Sequence, residues 1–190
     1  MTPPTFLCGV IEGFYGRPWT PAQRGALFGH LQAWGLNTYL YAPKDDLRHR
    51  HSWRELYPAA EAAEMAALIT ACTQAGVAFV YALAPGLDPA FGSPAGLDAL
   101  ARKAGQLAAL GCRHFAVLFD DIIPAPASGL LGATAHDAAT QVDFAHNLLA
   151  FQRQRDPQSL QFFCPTPYCG RMAGLVEASS YLRHLGTALD

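Results

Sequence analysis

The sequence predicts an α/β chain built around a parallel sheet, of the (β/α)8 barrel type. Two observations lead there. Short apolar, β-branched or aromatic runs alternate with stretches of helical length along the whole 190 residues, the order that right-handed βαβ units produce. Polar residues then gather just past several of those runs, at Glu12, Lys44-Asp45-Asp46, Asp88 and Asp120-Asp121, where a barrel builds its site.

The elements follow in order. Phe6 to Glu12 is an apolar run closed by Gly13. Pro21 to Trp34 predicts a helix, with Thr20 as N-cap, Pro21 in the first helical position and Gly35 past the end. Asn37 to Ala42 is rich in β-branched and aromatic residues and predicts a second strand. A charged, aromatic loop runs from Pro43 to Tyr57, and the Ala-rich segment from Ala59 to Ala75 predicts a helix stopped by Gly76. Val77 to Leu83 predicts a third strand, Ala95 to Leu110 a third helix ended by Gly111, and His114 to Phe119 a fourth strand. A fourth helix is expected from about His136 to Arg155, a fifth strand at Gln161 to Cys164, and a last helix around Tyr181.

Five such units fit either an open five-stranded sheet or the first part of an eight-unit barrel. An open doubly wound fold usually carries a glycine-rich phosphate loop after its first strand. Here that position holds G-F-Y-G-R-P-W, Gly13 to Trp19, which is bulky and aromatic. The barrel is favoured, with residues 1–190 as its N-terminal part, ahead of strands six to eight.

Composition narrows the function. With 51% hydrophobic and 15% charged residues, the chain has the material for an ordered core. A net charge of −2 gives no electrostatic reason to expect nucleic acid or an anionic membrane as partner. The five cysteines are scattered, and Cys164 and Cys169 have no second pair to complete a zinc site. The first ten residues lack the charged start and apolar run of a secretory signal, and nowhere does an apolar run reach membrane-spanning length. A cytoplasmic location is the expectation.

Asp120-Asp121 is the sharpest chemical feature. Alternation along the fourth strand puts Ala116, Leu118 and Asp120 on one face and Phe115, Val117 and Phe119 on the other. The bulky set suits outer helices, which turns Asp120 toward the barrel axis. Asp121 reaches the same substrate only if the strand ends between the two; otherwise it caps the loop and Asp120 is solvated. Adjacent carboxylates repel, so one should hold its proton more tightly than the other, and glycoside hydrolysis needs one acid and one carboxylate. A direct enzyme nucleophile usually sits on a different strand, about 5 Å or more from the acid. An adjacent pair fits substrate assistance better, with the sugar's own 2-acetamido oxygen as nucleophile.

Other residues admit two readings. Lys44 is either a rim amine that donates to sugar hydroxyls or carboxylates, or a surface lysine paired with Asp45 or Asp46. Gly13 and Gly16 permit close approach of a ligand, or a tight turn. Tyr168 presents its hydroxyl to the rim, or packs. His49-x-His51 has no third metal ligand nearby and reads as a solvated loop; Trp19, Trp34 and Trp53 read as packing residues.

Five segments coincide in order: C-G-V-I-E-G-F-Y-G-R-P-W (Cys8 to Trp19), L-N-T-Y-L-Y-A-P-K-D-D (Leu36 to Asp46), Y-A-L-A-P-G-L-D (Tyr81 to Asp88), F-A-V-L-F-D-D-I (Phe115 to Ile122) and F-C-P-T-P-Y-C-G (Phe163 to Gly170). Together they resemble the protein O-GlcNAcase family, family 84 of the glycoside hydrolases. The resemblance implies a retaining β-N-acetylglucosaminidase on a (β/α)8 barrel, working through an oxazoline intermediate on a glycoprotein or glycoside that bears N-acetylglucosamine. It implies that Asp120 orients and polarises the acetamido group and that Asp121 is the general acid and later the base. It further implies that the Gly13 carbonyl and Lys44 bind the sugar, that Tyr168 lines the acetamido pocket, and that no metal or organic cofactor is used. The chain departs from the family in having Ile122, Ile123 and Pro124 where a further acid often follows the pair. The family's remaining sugar-binding asparagine and aspartate fall on later strands.

Overall fold

A computed structural model describes residues 6–120, 122, 135–169 and 180–188. Five strands, β1 (Gly9–Glu12), β2 (Thr38–Tyr41), β3 (Ala78–Leu83), β4 (His114–Leu118) and β5 (Gln161–Cys164), form one sheet. Every neighbouring pair is parallel, and the spatial order is the chain order, β1-β2-β3-β4-β5. The helices are α1 (Pro21–Ala33), α2 (Ala59–Gln74), α3 (Pro94–Ala109), α4 (Ala135–Arg155) and α5 (Ser180–Ala188), with one 3-10 turn at Pro85–Leu87. The expected elements are all present among the described residues, with ends shifted by a residue or two at most positions.

Local chemistry explains the boundaries. Thr20 and Gln23 form a capping box at the start of α1, and Ser93 caps α3 by accepting from Gly96 N–H. Helices α1, α2 and α3 end in the same way. The residue two past the cap donates back five positions (Leu36 to Leu31, Val77 to Cys72, Cys112 to Leu107), across a positive-φ glycine at 35, 76 or 111. That is a Schellman ending, which turns the chain straight into the next strand. Gly9 has a different reason for being glycine, because a Cβ there would lie 1.7 Å from the Thr38 carbonyl oxygen. Only a bare backbone lets β1 lie against β2.

The two faces of the sheet differ sharply. Tyr39, Tyr41, Phe79, Tyr81, Phe115, Val117 and Phe119 pack with side chains of α1, α2, α3 and α4 into the main core. The other face carries Leu40, Ala42, Val80, Ala82 and Ala116, with Leu118 and Phe162 against them, and among the described residues no helix contributes to that cluster. Sequential strand order with α1 to α4 on one face means that the sheet winds in one direction. A doubly wound sheet reverses at a switch point and covers both faces, so that alternative is excluded. Helix α5 packs on α4 through Tyr181, Leu185, Ala138 and Val142, and the Tyr181 hydroxyl ties Gln141 to the Thr166 backbone.

Trp53 is buried as expected, but Trp34 is exposed. Of the cysteines, Cys72 and Cys112 are buried, whereas Cys8 and Cys169 are exposed. No described helix is long and apolar enough to cross a membrane.

Candidate functional site

The small-residue face of the sheet holds the site. Past β2 the parity of Leu40 and Ala42 continues to Lys44, and past β4 that of Ala116 and Leu118 continues to Asp120. Phe119 N–H still donates to the Cys164 carbonyl, 2.9 Å away, so Asp120 stands on a chain segment fixed by β5. Its Oδ2 accepts from Lys44 Nζ at 3.1 Å. The lysine side chain is only 4% exposed and the aspartate 20%. Lys44 is therefore no surface lysine paired with Asp45 or Asp46; it spans β3 to reach a carboxylate 76 residues away. The alanines on β3 and β4, Ala82 and Ala116, leave the room for that reach.

Asp120 has capacity to spare. Its Oδ1 is buried and has no hydrogen-bond partner among the described residues. A buried carboxylate oxygen without a donor costs on the order of 1–3 kcal/mol; here the neighbouring lysine offsets part of that cost, and the free lone pairs suit an N–H donor.

Gly13 lies beside this pair through the backbone. Ala42 N–H donates to the Glu12 carbonyl and Lys44 N–H to the Phe14 carbonyl. By the alternation of an extended chain, the Gly13 carbonyl between them points away from β2. Tyr168 lies four residues past β5 and is 52% exposed. Asp121, the expected acid, falls outside the described residues. The structure thus brings Lys44 and Asp120 into contact, sets Gly13 immediately past the end of β1, and leaves Tyr168 exposed past the end of β5.

Other polar residues at the strand ends organise loops instead. Glu12 is fully buried on the helix side, accepting a bidentate pair from Arg24 at 2.8 and 2.9 Å and further bonds from Trp19 N–H and the Tyr39 hydroxyl. Strand parity held the signal, since Glu12 shares the face of Val10. Asp46 accepts from the Tyr41 and Tyr57 hydroxyls and from Arg48 N–H. Asp88 receives Trp53 Nε1 and Arg54 Nε. Lys103, which sequence reasoning passed over, is buried in α3 with its ammonium on the Glu55 carbonyl and 4.5 Å over the Tyr57 ring; burial pushes it down to about 8.

His49 corrects a further expectation. It is no solvated loop residue but is fully buried, with Nδ1 2.9 Å from the Ala82 carbonyl. Among the described residues no group of three or more His, Cys, Asp or Glu side chains is placed to hold a metal ion. A groove of about 740 Å³ opens on the far side of the sheet, between α1 and α2, lined by Trp19, Phe28, Tyr41, Met65 and Leu68 among others. Neither Lys44 nor Asp120 borders it, so its size does not mark the chemistry.

The fold and site together define a singly wound parallel α/β domain whose strand ends carry a largely buried lysine–aspartate pair. The chain belongs to the beta-N-acetylglucosaminidase family, which matches residues 8–190. It is 46% identical over 188 residues to the protein O-GlcNAcase of Rattus norvegicus, and equally to that of Mus musculus, covering 97% of this chain and 20% of each relative. The chain thus spans about a fifth of the length of these curated relatives. Among solved structures it is similar to a mutant O-GlcNAc hydrolase from Thermobaculum terrenum, with TM-score 0.82 and 32% identity over 97% of this chain and 39% of that one.

Proposed function

We propose that residues 1–190 form the N-terminal part of a (β/α)8 catalytic barrel of a retaining β-N-acetylglucosaminidase that removes O-linked N-acetylglucosamine with the help of the substrate's own acetamido group. The observation that carries this reading is the Asp120 carboxylate, held by Lys44 through Oδ2 and unspent at Oδ1. An acetamido N–H that donates to Oδ1 turns its carbonyl oxygen toward the anomeric carbon. That oxygen attacks C1, the bond from C1 to the leaving oxygen breaks, and Asp121 gives its proton to the leaving group. In the second half Asp121 takes a proton from water, the water oxygen bonds to C1, and the oxazoline ring opens with net retention. Lys44 and the Gly13 carbonyl hold the sugar, and Tyr168 closes the acetamido side. The substrates are glycoproteins or glycosides bearing N-acetylglucosamine, as the names of the relatives suggest.

Asp121→Asn tests the assignment of the acid. It should slow cleavage of substrates with poor leaving groups by roughly 10²–10⁴-fold and spare activated ones. Wild-type rates on a poor leaving group would remove Asp121 from that role.

A second reading is sugar binding by this chain without turnover. Turnover of a fluorogenic β-N-acetylglucosaminide by the 190-residue chain, abolished by Asp120→Ala, would exclude it.

A further inference from the structure

We propose, resting on the functional reading above, that His49 is the positioning residue of the Lys44–Asp120 pair, taking the place of Pro43 as the ladder partner of β3.

The register shows why a substitute is needed. Thr38 pairs with Ala78, and Ala78 N–H donates to the Asn37 carbonyl at 2.7 Å. A parallel ladder repeats every two residues. Beyond Tyr41↔Tyr81, the Ala82 carbonyl therefore awaits the N–H of residue 43, and Ala84 N–H awaits its carbonyl. Residue 43 is proline and has no N–H. His49 fills both places. Its Nδ1 lies 2.9 Å from the Ala82 carbonyl, and its own carbonyl accepts from Ala84 N–H at 2.9 Å. The Pro43 carbonyl turns away and accepts from Asp46 N–H.

The other edge of the same segment stays with β1, through Ala42 N–H on Glu12 and Lys44 N–H on Phe14. His49 thus wedges the end of β2 away from β3 at the level where Lys44 begins its reach to Asp120. A carbonyl only accepts, so the hydrogen of the ring sits on Nδ1, and Nε2 is a bare acceptor with no partner among the described residues. Lys44, Asp46 and Arg50 are the charges around the ring, with Asp120 beyond Lys44. A second cation beside Lys44 would compete with it for Asp120, and the neutral tautomer avoids that.

The test compares His49→Leu with His49→Asn, whose amide nitrogen can occupy the place of Nδ1, in the intact protein on a fluorogenic β-N-acetylglucosaminide. Asp120→Asn serves as the control. His49→Leu should lower kcat/KM by on the order of 10²-fold, since small misplacements of a site are costly. His49→Asn should recover most of that loss, and so should adding Pro43→Ala to His49→Leu, which returns the N–H to residue 43. Should His49→Leu not fold, His49→Gln replaces it, its amide one bond too far out. Equal impairment in the leucine and asparagine variants, or a leucine variant within about twofold of wild type, would overturn the role of His49. An inactive wild type, or an Asp120→Asn variant as active as wild type, would instead overturn the functional reading and this inference with it.

Discussion

Lys44 Nζ sits 3.1 Å from Asp120 Oδ2, reaching from the end of β2 to the end of β4 over the small side chains of β3. Nearly all of the lysine is buried, so the pair is fixed in geometry and little screened by solvent. Replacing Lys44 by Met should leave the aspartate buried without its cation. We expect kcat/KM to fall on the order of 10²-fold, as for loss of one preorganised charge partner. Lys44→Arg should not restore it, because a planar, forked guanidinium does not reproduce the point contact of a buried ammonium on one carboxylate oxygen. Steady-state kinetics on a fluorogenic β-N-acetylglucosaminide gives the answer.

Glu12 and Arg24 make a bidentate, largely buried pair, tying the end of β1 to α1. Glu12→Gln leaves a largely buried guanidinium short of its counter-charge. The expected loss is about 3–5 kcal/mol of folding stability, read as a lowered denaturant midpoint. A change below about 1 kcal/mol would show that water reaches the pair.

Burial holds the His49 imidazole down at about 4, with Lys44 and Arg50 pushing the same way and the Ala82 carbonyl and Asp46 opposing. The folded value lies below the unfolded one, so the unfolded chain takes a proton that the folded chain refuses. Stability should therefore fall as pH drops from about 6.5 toward 4, by on the order of 3 kcal/mol from this group. His49→Asn should remove that part of the slope. Denaturation midpoints at a series of pH values check both points.

Gly9→Ala asks whether β1 needs its close approach to β2. A Cβ 1.7 Å from the Thr38 oxygen cannot be accommodated without moving the strand. A loss of more than about 2 kcal/mol is expected, with faster hydrogen exchange at the β1–β2 amides.

Most element boundaries were legible in the sequence because each rests on local chemistry. Thr20 with Gln23, and the glycines at 35, 76 and 111, act within a few residues of themselves. The direction of Asp120 was legible too, since a strand alternates strictly. What was not legible came from long-range packing. Nothing near Lys44 in the sequence says that its partner is 76 residues away rather than the adjacent Asp45 or Asp46. His49 looked solvated because its neighbours Arg48, Arg50 and His51 are polar; the missing Pro43 donor that draws it inward shows only once the register of β3 is known. Glu12 was placed at the rim although parity puts it under α1, an inference that the first strand allowed and that its polar character obscured.

The central claim is that the free oxygen of Asp120 accepts the acetamido N–H of the substrate. The most direct measurement is kcat/KM for a β-N-acetylglucosaminide and for its analogue with a hydroxyl in place of the acetamido group, in wild-type protein and in Asp120→Asn. Wild type should prefer the acetamido substrate by at least about 10³-fold, and Asp120→Asn should lose on the order of 10²-fold or more on that substrate alone. Equal losses on both substrates, or none on either, would contradict the role assigned to Asp120.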